Sequence, residues 1–133
     1  MSAVIGLAGC GGSPTAPPIE EDFINIISVN PDSGLVDGVD TDFTVVVEYN
    51  LYSSTQGTLE ISFNTDEVDC WLSVCGADFL VNKGSGTHEF NVTVKPKDWG
   101  SEEDFSVLAC IDEVPNLDNS LLDCDVKILT FLQ

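Results

Sequence analysis

The sequence predicts an all-β protein, a single antiparallel sandwich of about seven short strands behind an N-terminal signal and tether. Three observations carry this expectation. Apolar residues recur with a period of two in run after run, the alternation that gives a strand one buried and one wet face. Clusters of Gly, Pro, Asn and Asp separate the runs. No stretch sustains a helical period, so helix content should be close to nil.

The chain opens with an apolar, uncharged stretch, Met1 to Ala8, that ends in small residues before a cysteine. An apolar core with a small-residue cleavage site is the pattern of a secretory signal. Gly11-Gly12-Ser13-Pro14-Thr15-Ala16-Pro17-Pro18 follows, a composition suited to an extended spacer. The parts are therefore a signal over residues 1–9, a modified cysteine and tether over 10–21, and one folded unit over 22–133. The competing reading makes the N-terminus an apolar strand with a buried thiol, but a packed strand would meet a turn rather than a Gly/Pro spacer. No segment supplies the roughly 20 apolar residues of a membrane-spanning helix.

Leu7-Ala8-Gly9-Cys10 resembles the lipobox of prokaryotic lipoproteins. That resemblance implies a diacylglyceryl thioether on Cys10, cleavage before it, and a protein held to a membrane outside the cytoplasm. A signal normally begins with Lys or Arg and none precedes this one, so the true start is expected upstream of Met1. One acyl chain holds a protein only marginally at about 0.8 kcal/mol per buried methylene, whereas several chains on one cysteine hold durably.

The strands follow in order. Phe23 to Val29 is the first, stopped by Asn30-Pro31-Asp32-Ser33-Gly34. Phe43, Val45, Val47, Tyr49 and Leu51 alternate with more polar neighbours in the second, and Leu59, Ile61 and Phe63 in the third. Val68 to Val81 is irregular, with room for one or two short strands. His88, Phe90, Val92 and Val94 give the next inward face, and Phe105, Val107, Ala109 and Ile111 the one after it. Cys124 to Leu132 closes the set, with Val126 and Ile128 expected inward. Each inward row needs a second layer to cover it, which makes the sandwich.

The unit 22–133 resembles the bacterial immunoglobulin-like domains of surface proteins. Ile27-Ser28-Val29-Asn30-Pro31-Asp32-Ser33-Gly34 is similar to their opening strand and turn. Asp98-Trp99-Gly100 through Asp104-Phe105-Ser106-Val107 is similar to their corner before the sixth strand, with Phe105 where a Tyr is frequent. The second strand lacks a cysteine, so the inter-sheet disulfide of antibody-type domains has no counterpart here.

With Cys10 set aside, Cys70, Cys75, Cys110 and Cys124 remain, an even count that in an exported domain reads as two disulfides. Three pairings are open, and the local one, Cys70–Cys75 with Cys110–Cys124, is favoured. Zinc is the rival, weakened by a spacing unlike paired knuckles and by a single histidine, His88.

Four Lys and no Arg stand against 23 acidic residues, for a formal charge of −19. Such a surface repels nucleic acid, which needs cationic contacts, and anionic lipid headgroups. The 43% hydrophobic content argues for a folded core rather than disorder. No nucleophile elbow, phosphate loop or paired metal-ligand helix appears, so no enzyme is expected. His88 reads as a packed, hydrogen-bonded core imidazole.

Asp37-Gly38-Val39-Asp40-Thr41-Asp42 places three carboxylates on one short turn, and Asp37, Asp40 and Asp42 are candidate Ca²⁺ ligands; no other cofactor is expected. The competing reading, a solvated turn rich in turn-forming residues, is preferred. Asn91-Val92-Thr93 matches a glycosylation sequon, read as a chance match. Trp99 is expected to pack at the corner, and Trp71, among polar residues between cysteines, is a candidate contact for a surface protein or glycan.

The expected function is a non-catalytic, lipid-anchored adhesion, scaffold or binding module of the cell envelope. The alternative is self-association, a surface filament assembled by strand exchange through Phe23 to Val29 or Lys127 to Leu132.

Overall fold

A computed structural model describes residues 20–66, 76–114 and 121–133. Cys10, the signal and all but the end of the tether, the pair Cys70 and Cys75, and Trp71 lie outside the described residues. Within them the chain is all-β, with five strands: β1 (Phe23–Asn30), β2 (Thr41–Phe63), β3 (Gly76–Val94), β4 (Ser106–Glu113) and β5 (Leu121–Ile128). All pairings between them are antiparallel, in the order β1-β2-β4-β5 with β3 on the other side of β2.

Five strands stand where about seven were expected, because two of them run through a corner. Residues 43–51 and 59–63 are both parts of β2, and residues 76–81, the described end of the irregular stretch, run on into 88–94 as β3. β2 pairs with β1 through residues 44–50 and with β4 through 57–63. Between these halves the β2–β3 register shifts from Leu51↔Gly84 to Gln56↔Asn82, a bulge that turns the strand sharply. Asp22 fastens the bulge by accepting the Tyr52 and Ser53 N–H groups at 2.7 and 3.0 Å. In β3 the bend falls at Gly84, whose φ of 128° is open to glycine and strained for other residues. Inward residues are odd-numbered before it (Val81) and even-numbered after it (Phe90, Val94), so the bend keeps both halves facing the core.

The sheet therefore curls into a half-barrel around one core. Phe43, Val45, Val47, Leu59, Ile61, Val107, Ala109 and Ile111 are each at most 1% exposed. Phe43 and Phe63 lie 4.7 Å apart between ring centroids, and Phe105 stacks on Phe63 at 6.0 Å. The expected inward rows of β2, β3 and β4 are all found here.

The row in β5 is reversed. Val126 and Ile128 are 56% and 53% exposed, not inward. Ala109 and Ile111 face the core, so Cys110 points out, and its partner Cys124 shares that outer face. Val126 and Ile128 are in step with Cys124 and follow it outward. The inner side of β5 carries Asp123 and Asp125 instead. Their carboxylates accept the backbone N–H groups of Ile24 and Ile26 at 3.0 and 2.8 Å, closing the seam between β1 and β5. The C-terminal segment continues the closure: Leu132 N–H donates to Leu35 C=O at 2.8 Å, and Leu35 bridges Phe131 in parallel.

Candidate functional site

Cys110 and Cys124 are joined by a disulfide across β4 and β5, with Cα atoms 4.1 Å apart. It sits on the outer face, where Cys110 lies opposite Glu60 and Glu60 opposite Asp78. Asp112, two residues along β4, is 5% exposed and stands beside Glu60. Burial, hydrogen bonding to Asp112 and the charges of Asp112 and Asp78 together push the Glu60 carboxyl up to about 7. The outer face of β3, β2 and β4 thus carries an acidic row ending at the disulfide. Below it lies an apolar patch in which Leu108 and Val126 are direct cross-strand partners.

His88 is half-buried, stacked on Phe79 at 3.8 Å and edge-on to Phe90 at 4.5 Å. Its contacts are aromatic, where a hydrogen-bonded core imidazole was expected. Burial lowers its pKa, against an opposing pull from Glu89. Phe79 remains 45% exposed because it lies on the first half of β3, at the margin of the curl, and Leu80 beside it is 55% exposed. Among the described residues β3 pairs with β2 alone, so its other edge presents backbone donors and acceptors outward.

The corner at Trp99 is organised by Asn64. The indole N–H donates to the Asn64 C=O at 2.7 Å, and Asn64 Oδ1 accepts the Ser106 N–H at 2.6 Å. Trp99 packs partly buried against the core, as its place in the sequence suggested. With Glu103, Phe105, Leu129 and Phe131 it lines a shallow groove.

The three candidate Ca²⁺ ligands face different partners. Asp37 accepts the Asp98 N–H at 2.8 Å, Asp40 approaches Lys95 at 3.9 Å, and Asp42 accepts the Thr93 hydroxyl at 2.6 Å. Gly38 adopts φ 74° and donates to Pro96 C=O, so the loop is a turn pinned to the 95–98 segment. The described residues hold no group of three His, Cys, Asp or Glu side chains placed for a metal ion. Nor do they hold a helix long and apolar enough to cross a membrane. Asn91 of the sequon is exposed, with its side chain held by Thr44 and Glu89.

Sequence reasoning missed the Glu60–Asp112 pair, the Asp123/Asp125 seam and the Phe79 cluster. A signal existed for the second: with Ile111 inward, the disulfide partners must face outward, and Asp123 and Asp125 then take the inner side of β5 by alternation.

These features define an all-β, disulfide-bonded, strongly acidic module whose described part has an open sheet edge and no group of side chains placed for a metal ion. No protein-family model matches the sequence, and no curated protein is significantly similar to it.

Proposed function

We propose that this chain is an exported lipoprotein, anchored through Cys10, whose domain serves at the cell surface as a non-catalytic binding or scaffold module. The observation that carries the reading is the Cys110–Cys124 disulfide on the outer face of the sheet. Such bonds persist in oxidising compartments and are rare in the cytosol. It agrees with a sequence that opens on a signal-like segment, a lipobox-like Leu7-Ala8-Gly9-Cys10 and a proline-rich spacer.

The domain itself we read as an immunoglobulin-like sandwich. Counted by pairing partner rather than by chain continuity, β2 and β3 each supply two segments. One layer then holds β1, the first half of β2 and the second half of β3. The other holds the first half of β3, the second half of β2, β4 and β5. The switch of the chain from β1 to the parallel Leu35–Phe131 bridge supports the same reading. Such sandwiches meet partners through loops and sheet edges. Strand exchange through β1 or the C-terminal segment has less support, since both are engaged within the chain by the Asp123/Asp125 seam and the Leu35 contacts.

Fractionation of expressing cells tests the proposal. The wild-type chain is expected in the membrane fraction and open to added protease, and Cys10→Ser is expected to be released in soluble form. Wild-type protein in the cytosol with Cys110 and Cys124 reduced would overturn it.

A further inference from the structure

We propose that the outer edge of β3 over residues 76–82 receives an extended, positively charged strand from a partner protein, which adds to the sheet next to the acidic row. The inference rests on the binding-module reading and assigns it a surface and a class of partner.

Three observations converge on this edge. Among the described residues β3 is hydrogen-bonded to β2 alone, so the groups of its other side are presented for pairing. The competing edge is occupied: β1 and β5 face one another, and Asp123 and Asp125 take up the N–H groups of Ile24 and Ile26. Natural edges are guarded by lysine, proline, bulges or inward charge. Residues 77–82, Ala77-Asp78-Phe79-Leu80-Val81-Asn82, hold no lysine or proline, and Lys83, next in sequence, lies 4.9 Å over the Tyr52 ring. This unguarded stretch also exposes a large apolar side chain on each face, Phe79 on the core side and Leu80 on the outer side.

Charge decides the occupant. The outer face at this edge carries Asp78 beside Glu60 and Asp112, on a chain of net charge −19. A second copy of β3 would bring another acidic row alongside the first. An incoming strand with Lys or Arg opposite Asp78 extends that row with the opposite sign, and its apolar residues cover Phe79 or Leu80. Cross-strand pairs of opposite charge stabilise a sheet and like pairs destabilise it.

The test uses the full chain, labelled with nitrogen-15, and a short synthetic peptide alternating lysine and valine. Companion peptides replace lysine with glutamate or break the strand with a central proline. The expected result is amide shifts and slowed exchange concentrated in residues 76–82, with neither companion binding. Leu80→Lys, which guards the edge, and Asp78→Asn, which removes charge alone, should each weaken binding roughly tenfold while the amide spectrum stays folded. Equal binding of the proline-broken peptide, or shifts spread over the acidic surface, would overturn the edge assignment. Binding confined to the loop ends would also overturn it and leave the binding-module reading standing. Loss of Cys10-dependent surface display would remove that reading while the edge result stood on its own.

Discussion

Replacing Glu60 by Gln keeps a hydrogen-bonding side chain beside Asp112 and removes the proton. The carboxyl sits at about 7 in the folded chain against an ordinary value of 4.5. Taken at full value that difference corresponds to about 3 kcal/mol of linkage, and solvent screening of a half-exposed group reduces it to about 1–2 kcal/mol. The sign follows from proton binding. Between 4.5 and 7 the folded chain holds a proton that the unfolded chain has lost, so Glu60 contributes its stability below 4.5 and loses it as the pH rises through 7. Urea unfolding followed by tryptophan fluorescence at a series of pH values reads this directly. Wild type should lose about 1–2 kcal/mol relative to Glu60→Gln between about pH 5 and pH 8. Subtracting the variant removes the contribution of His88 and the general carboxylate repulsion, which both proteins share. Parallel curves for the two proteins would refute the reasoning, because Glu60 would then titrate alike in the folded and unfolded chains.

Four further outcomes follow from the packing. Joint substitution of Asp123 and Asp125 by Ala removes two charged acceptors from the β1 edge; it should cost about 2–4 kcal/mol in urea unfolding and speed amide exchange at Ile24 and Ile26. Serine at both Cys110 and Cys124 opens a loop with a sequence separation of 14 and should cost about 3 kcal/mol in urea unfolding. A Cβ at Gly57 would lie 2.7 Å from the Asp112 carbonyl and 3.0 Å from Leu51, so Gly57→Ala should cost about 1–3 kcal/mol on thermal unfolding. Burial holds His88 below its ordinary value, so its contribution is present above about 6.5 and lost as the pH falls; His88→Phe should flatten the acid side of the stability profile.

Much of the fold was legible because alternation is a local property. Phe43 to Leu51, Leu59 to Phe63, Phe90 to Val94 and Phe105 to Ile111 face the core as their spacing implied. The continuity of β2 and β3 was not, because the bulge after Leu51 and the bend at Gly84 let one strand serve both halves of the curl, and a turn-rich sequence does not distinguish a bend from a break. β5 misled for a different reason. Val126 and Ile128 are the apolar members of their alternation, and hydropathy alone puts them inward. Pairing with β4 through the disulfide has the stronger hold on the register, and it leaves Asp123 and Asp125 to bind the β1 backbone. The Glu60–Asp112 pair depends on two strands meeting, which no local pattern encodes. Nor does the sequence reveal that Asn64 holds the Trp99 corner, since an asparagine beyond a strand reads as an ordinary turn residue.

The proposed anchored, oxidised state of the chain is read directly by intact-mass measurement of the protein isolated from expressing cells. The predicted spectrum shows a polypeptide beginning at Cys10, heavier by a diacylglyceryl group and lighter by the hydrogens of its paired cysteines. A chain that retains Met1, carries no acyl mass and keeps every thiol reduced would contradict it.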